Sequence, residues 1–87
     1  MATAFIPPAL RELTGGRGQV DVAGTSVRQV VASLEAQFPG LRDRLCVGND
    51  LRPGLAIAIN GVVTSLGLLQ KVPENAEVHF LPALGGG

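Results

Sequence analysis

Tryptophan and tyrosine are missing from this 87-residue sequence, which also holds only three phenylalanines, one cysteine and one histidine. A single cysteine cannot form a disulfide within the chain, which fits a reducing compartment and predicts a cytoplasmic protein. Nucleophilic catalysis needs a nucleophile, a base and an orienting group, and a metal ion needs clustered ligands. The sequence offers neither of these patterns. We therefore expect neither a self-contained enzyme nor a metal-binding protein.

Charge is equally sparse and balanced, with seven basic residues, seven acidic residues and a net charge of zero. Because there is no basic stripe and few aromatic rings are available to stack on bases, nucleic acid is not an expected partner. No apolar run approaches the roughly 20 residues that a membrane helix needs, and the first residues lack a signal-peptide pattern. Hydrophobic residues make up 46% of the chain, which predicts one small globular domain with an aliphatic core.

One helix is clearly indicated in the first half of the sequence. Ser26 and Gln29 have the spacing of a capping box, in which each side chain binds the backbone N–H of the other residue. Apolar residues then recur at helical spacing and predict one buried stripe: Val27, Val30, Val31, Leu34 and Phe38. Pro39-Gly40 indicates the end of the helix. A helix with one apolar stripe is expected to cover a sheet.

Strand-like segments surround this helix, in the order strand, strand, helix, strand, strand, strand. The predicted strands are residues 2–6, 19–23, 55–59, 62–64 and 77–81. Asn60-Gly61 is typical of a two-residue hairpin turn, whereas residues 47–54 are expected to form a loop. Pro82 is expected to end pairing in the last strand, because it has no N–H to donate. The predicted fold class is α+β: a mixed, twisted sheet with one main helix across one face and the last strand beside the first.

Three isolated features carry weaker chemical signals. The glycine-rich segment 14–18 lacks the lysine and serine of a phosphate-binding loop, so a hairpin loop is favoured. Cys46 has no evident base or helix N-terminus to lower its pKa, so a small buried residue is favoured over a catalytic thiol. His79 stands alone on the last predicted strand and is expected to face solvent. The C-terminus is left as the candidate reactive group.

The sequence ends in Gly85-Gly86-Gly87, shortly after the last predicted strand. Glycine has no side chain to pack and loses more backbone entropy on folding than any other residue, so these residues cannot stabilise the domain. We predict a β domain over residues 1–82 and a flexible C-terminal tail over 83–87. Such a tail is thin enough to enter a narrow channel and to present the Gly87 carboxylate to another protein. The alternative is a frayed end without function.

Four segments in succession are typical of one family: Arg11-Glu12-Leu13, the helix over 27–38, Ile59-Asn60-Gly61, and Glu77-Val78-His79-Phe80-Leu81-Pro82 leading to Gly86-Gly87. On these segments the chain resembles the ubiquitin-like sulfur-carrier proteins. That family includes the small subunit of molybdopterin synthase, the thiamine sulfur carrier and the cysteine-biosynthesis sulfur carrier. Ile6-Pro7-Pro8, Thr14-Gly15-Gly16 and the loop 47–54 favour the cysteine-type carriers slightly. The resemblance implies a ubiquitin-like β-grasp fold.

The resemblance further implies that Gly87 is the reacting residue, with Gly85 and Gly86 in the tail that carries it. An E1-like adenylyltransferase would use ATP to adenylate the Gly87 carboxylate, and a sulfur donor would convert it to a thiocarboxylate. A downstream enzyme would then accept the sulfur in cofactor, cysteine or metabolite biosynthesis. The protein itself would bind no cofactor and would act as a carrier, or as a non-catalytic subunit of a synthase.

A docking surface is also implied, because relatives carry exposed apolar residues at positions that match Leu81, Val63 and Pro7. Ordinary core or scattered surface positions are the alternative for these three residues. Two other function classes share the same sequence features. One is a ubiquitin-like modifier joined through Gly87 to target lysines, and the other is an interaction domain whose glycine ending has no role. The pathway that receives the sulfur is left open.

Overall fold

Residues 1–82 are described by a computed structural model of the chain. The predicted tail over 83–87, with Gly85, Gly86 and Gly87, lies outside the described residues. The elements are, in order, β1 (Ala2–Phe5), a 3-10 helix (Pro8–Thr14), β2 (Gln19–Val22), α1 (Val27–Gln37), α2 (Leu41–Leu45), β3 (Cys46–Val47), β4 (Asp50–Leu51), β5 (Leu55–Ile59), β6 (Val62–Thr64), a second 3-10 helix (Gly67–Leu69) and β7 (Glu77–Pro82).

Five of the strands form one mixed sheet in the order β2-β1-β7-β5-β6. β1 runs antiparallel to β2 and parallel to β7, and β7 runs antiparallel to β5. Asn60 and Gly61 join β5 to β6 with positive φ angles of 51° and 84°, as a tight hairpin turn requires. The last strand therefore lies at the centre of the sheet and beside the first strand, as the sequence predicted.

α1 packs across one face of this sheet, where its apolar stripe is buried. The predicted stripe is confirmed: its members are at most 2% exposed, apart from Phe38, which is half-buried against the same core. From the centre of the sheet, Val78 and Phe80 of β7 join this core and are also buried. The architecture is the ubiquitin-like β-grasp, an α+β fold, as expected.

The N-terminus of α1 follows the predicted capping box only in part. Ser26 is the N-cap, and its hydroxyl oxygen accepts a hydrogen bond from the N–H of Gln29 at 3.3 Å. The amide oxygen of Gln29 accepts from the N–H of Thr25 at 2.7 Å, instead of from Ser26. The returning half of the box is thus displaced by one residue, and it fixes the chain just before the helix.

The prediction of a plain loop over residues 47–54 is wrong. β3 and β4 pair as a small two-stranded antiparallel sheet, with Cys46 opposite Leu51. Gly48 has a φ of 61°, a conformation that glycine adopts without steric cost in a tight turn. Leu51 packs against the core. This contact stabilises the segment, and the polar composition of residues 47–54 does not indicate it.

The last strand is one residue longer than the predicted range of 77–81. β7 includes Pro82, which lies opposite Leu55 at the end of the β5–β7 ladder. A proline lacks the donor N–H, but it is tolerated where the strand needs no further hydrogen bond from it, as at a strand end. The N–H of Leu55 donates to the carbonyl oxygen of Arg52 at 3.1 Å. The start of β5 is therefore held by a hydrogen bond to the segment just before it.

Candidate docking face and tail root

The sheet face opposite α1, here called the open face, carries the alternate positions that the core does not use. Its members are Thr3, Phe5, Gln19, Asp21, Ala56, Ala58, Val63, Glu77, His79 and Leu81. Of these ten, only Ala58 is buried, and the others are half-buried or exposed. The open face is therefore the broad surface that the described part of the chain leaves available for another molecule.

An aromatic pair lies at the centre of the open face. The parallel register of β1 and β7 places Phe5 opposite His79, and their rings stack with centroids 4.0 Å apart and planes 7° apart. The Nε2 atom of His79 lies 3.4 Å from a carboxylate oxygen of Glu77. The His79 side chain is 32% exposed, so the expectation that it faces solvent holds in part. Stacked rings of this kind give a flat, rigid surface for contact.

Two of the three predicted partner residues, Val63 and Leu81, lie on the open face. Val63 of β6 is 64% exposed and pairs with Ala58, whereas Leu81 of β7 is half-buried and pairs with Ala56. Pro7 is half-buried and follows β1 by two residues. None of the three belongs to the core cluster. The structure therefore places Val63 and Leu81 on one face and Pro7 just after β1, and the role of all three in docking stays a prediction.

The predicted tail follows a strand that is paired up to its last residue. β7 pairs with β1 over residues 77–79 and with β5 over residues 78–82, so the pairing with β5 continues to the residue that precedes 83. Pro82 is its last residue. A segment anchored in this way fixes where the following residues start, relative to the open face. Gly87, the residue predicted to react, lies outside the described residues together with Gly85 and Gly86.

The other candidates from the sequence do not form a reactive site. Cys46 is 6% exposed, and burial raises the pKa of its thiol despite the nearby Arg42, which disfavours the reactive thiolate. The segment 14–18 belongs to the connection between β1 and β2, as favoured, and the hydroxyl of Thr14 lies 2.8 Å from the carbonyl oxygen of Arg17. Within residues 1–82, no three metal-ligating side chains of the His, Cys, Asp and Glu types cluster together, and no helix is suited to crossing a bilayer.

A groove of about 550 Å³ was not anticipated from the sequence. It lies between two segments, residues 49–55 and 64–69, and Arg28 of α1 also lines it. Leu66 and Leu69, on the second of these segments, are 58% and 72% exposed. Sequence patterns gave no sign of it, because the two segments are brought together only by the β3–β4 hairpin and the β6–β7 connection. This surface is called the tail-side groove below.

Comparison with known proteins identifies the family. The sequence profile of the ThiS family matches residues 5–87. The chain belongs to the ThiS family. Its membership agrees with the resemblance to ubiquitin-like sulfur-carrier proteins on which the expected fold was based. The curated relatives of this ThiS-family chain include the sulfur carrier protein CysO of Mycobacterium tuberculosis, which is 34% identical over 92 residues and is matched over 98% of this chain and 97% of its own length.

Solved structures of related proteins share the fold of the ThiS-family chain. CysO in the BexX/CysO complex of Amycolatopsis orientalis superposes with a TM-score of 0.90 at 29% identity and covers 100% of both chains. CysO of Mycobacterium tuberculosis gives 0.87 at 30% identity over 97% of this chain and 100% of its own. The small archaeal modifier protein 1 of Methanosarcina acetivorans gives 0.79 at 25% identity over 99% of this chain and 95% of its own.

Proposed function

We propose that this ThiS-family protein carries sulfur as a thiocarboxylate on Gly87. The observation that supports the proposal most directly is the position of β7. This strand is held between β1 and β5 and ends at Pro82, beside an open face with exposed or half-buried apolar and aromatic side chains. A partner that docks on this face receives the last five residues from a fixed starting point. The 34% identity with a sulfur carrier named CysO supports the same function.

The chemistry proposed for the tail needs an activating partner, because a carboxylate is a poor electrophile. In an E1-like adenylyltransferase, the Gly87 carboxylate attacks the α-phosphate of ATP and pyrophosphate leaves. A sulfide nucleophile from the donor then attacks the acyl carbon and displaces AMP, which leaves a thiocarboxylate on Gly87. This group is a softer and stronger nucleophile than a carboxylate, so it can pass its sulfur to a biosynthetic acceptor. The carrier contributes the substrate group and the docking surface, and the partner contributes the active site.

The glycines of the tail fit a narrow channel in such a partner. A residue without Cβ keeps the chain thin and leaves φ free, and residues 83–87 span about 17 Å when extended. The open face would carry the contacts outside the channel, with Val63, Leu81 and Pro7 as the apolar residues that contact the partner. A relative named CysO is known in a complex with BexX, which supports a carrier that works by docking on a second protein.

Intact mass spectrometry tests the proposal. The chain is incubated with ATP, sulfide and the cognate activating enzyme, and the expected product is heavier by the difference between one sulfur and one oxygen atom. Gly87→Ala is the matched variant: it leaves residues 1–82 unchanged, and its Cβ is expected to block adenylation. Normal ATP–pyrophosphate exchange with this variant, or an unchanged mass for the original chain, would contradict the proposal.

A second function is supported by one comparison. The small archaeal modifier protein 1 has the same fold and 25% identity, and a modifier would use the same activation step before joining Gly87 to a lysine. Peptide mapping of cell lysate for Gly-Gly remnants on lysine side chains separates the two functions. Remnants that depend on this protein would support the modifier, whereas a thiocarboxylate without remnants would support the sulfur carrier.

A further inference from the structure

The two edge strands of the five-stranded sheet, β2 and β6, differ in how they are covered. At β2, the Nε2 atom of Gln37 donates to the carbonyl oxygen of Asp21 at 3.0 Å. The hydroxyl oxygen of Ser33 accepts from the N–H of Ala23 at 3.3 Å. Side chains of α1 thus occupy backbone groups that a further strand would need. Such protection is usual, because an uncovered edge strand is a template for pairing with another chain.

β6 has no comparable cover within residues 1–82. In its ladder with β5, Val62 lies opposite Ile59 and Val63 lies opposite Ala58. Ile59 and Val62 close the two-residue turn as a hydrogen-bonded pair, so the next pair is not hydrogen-bonded. The N–H and carbonyl groups of Val63 therefore point away from β5, and the described residues give them no backbone partner. β6 also lacks charged residues and proline, and both of its valines are exposed.

A groove of about 540 Å³ lies beside this edge, between β6 and residues 70–73, and is called the edge groove here. It meets the tail-side groove at Thr64 and Ser65, which line both. Its second wall is held in place, because Lys71 forms a β-bridge with Ser26 at the start of α1. Of the described residues that line the edge groove, Lys71 alone is charged. Lys71 is exposed and forms no ion pair in the described part of the chain.

These features match an extended acidic peptide. An unused N–H and carbonyl on an edge strand are the groups through which a peptide adds to a sheet. The exposed valines of β6 favour β-branched or other apolar residues as cross-strand neighbours, and Lys71 favours a carboxylate. A second copy of this chain matches less well, because pairing of two β6 strands would add a second Lys71 to the interface and no carboxylate from the edge groove.

We propose that the β6 edge binds an extended, acidic segment of a partner protein, which adds to the sheet as a further strand. The segment accepts a hydrogen bond from the Val63 N–H and donates one to the Val63 carbonyl oxygen, and one of its carboxylates pairs with Lys71. Binding is reversible, because Lys71 is exposed and exposed ion pairs are weak. This surface is made of backbone groups, so it is distinct from the side-chain contacts of the open face and does not depend on sulfur chemistry.

NMR titration of the 15N-labelled full-length chain with the capped peptide Ser-Val-Glu-Val-Glu-Val-Ser tests the proposal. We expect the amide signals of residues 62–65 and Lys71 to shift, and hydrogen exchange of the Val63 N–H to slow, because this group gains an acceptor. Val63→Pro removes the donor, and proline is tolerated on an edge strand whose N–H faces solvent. It should weaken binding by about two- to tenfold relative to the matched control Val63→Ala, the range that one hydrogen bond supports.

Two further comparisons test the charge and the backbone of the peptide. Lys71→Glu should weaken binding by about two- to fivefold, and added salt should reduce the difference. Arg17→Glu, on the exposed connection between β1 and β2, is the matched charge control and should change nothing. A peptide that is N-methylated at every internal residue keeps its side chains but loses its backbone donors, and it should not bind. This comparison decides the matter even if Val63→Pro fails to fold.

Several results would overturn the proposal. One is the absence of shifts in β6, or shifts confined to His79 and Leu81, since the peptide would then lie on the open face. Another is equal affinity of folded Val63→Pro and Val63→Ala, or tight binding of the N-methylated peptide. Equal effects of Lys71→Glu and Arg17→Glu would remove the ion pair. Slower exchange of the Val63 N–H with rising protein concentration and no peptide would assign the edge to a second copy of the chain and would overturn the proposal too.

Discussion

Neighbouring residues of β7 serve two different surfaces of the molecule. Val78 and Phe80 point into the core beneath α1 and are at most 4% exposed, whereas His79 and Leu81 lie on the open face and are only half-buried. One strand thus holds the domain together with one set of side chains and presents the other set to solvent. We therefore expect that contacts on the open face can change without loss of the fold, whereas the core residues set the stability of the domain.

The largest effect on the free energy of unfolding is expected from Phe80→Ala. Removal of a buried phenylalanine side chain costs about 3–5 kcal/mol, which is a large part of the stability of a small domain. His79→Ala is the matched control on the same strand, and loss of its stacking on Phe5 should cost only about 0.5–1.5 kcal/mol beyond the area it exposes. Urea unfolding of both variants measures the difference. Equal costs for the two variants would mean that the faces of β7 do not divide stability as proposed.

We expect Leu81→Asp to lower the stability less than Phe80→Ala does, and to weaken docking more. This substitution places a charge among the apolar residues of the open face, and we expect a loss of affinity for the activating enzyme of at least about tenfold, typical of a residue central to an interface. Val47→Asp is the control, because Val47 is 51% exposed but lies on β3, away from the open face. Affinity is measured by calorimetry, and stability by urea unfolding.

Two results would contradict the proposed docking role of Leu81. If Leu81→Asp unfolded the domain, the residue would belong to the core and not to a docking surface. If Leu81→Asp and Val47→Asp weakened binding equally, the effect would come from added negative charge in general, and the open face would lose its special status.

Much of the fold was predictable because local patterns and tertiary packing agree. The stripe from Val27 to Phe38 has helical spacing, and Asn60-Gly61 has the backbone preferences of a hairpin turn, so each specifies its structure without help. The small sheet of β3 and β4 was missed because its ordering depends on Leu51 reaching the core. That contact joins distant parts of the chain, and residues 47–54 are too polar and rich in turn formers to reveal it.

The candidate site was predictable only where its residues lie within a single strand. Side chains alternate between the two faces of a strand, which places Leu81 on the face opposite Val78 and Phe80, as observed. The stacking of Phe5 on His79 was missed, although Phe5 shares its strand face with polar Thr3 and thus had an aromatic ring pointing away from the core. Opposition of the two rings depends on the parallel register of β1 and β7, which connects the two ends of the chain and leaves no local signal.

The smallest effect on the free energy of unfolding is expected on the helix side of the sheet, from Glu35→Gln. The Glu35 carboxylate on α1 accepts hydrogen bonds from the backbone N–H groups of Arg42 at 2.9 Å and Gly40 at 3.1 Å. These hydrogen bonds lower the pKa of Glu35. A carboxyl group with a lowered folded-state pKa adds stability above its ordinary value of 4.5, and this contribution is lost as the pH falls through the folded-state pKa. The original chain should therefore exceed the variant in unfolding free energy at neutral pH, and the gap should shrink below pH 4.5.

Glu12→Gln is the control, since Glu12 is exposed and has no side-chain hydrogen bond within residues 1–82. Urea unfolding across this pH range checks the prediction, and a gap independent of pH would show that the carboxylate's charge is not what joins α1 to α2.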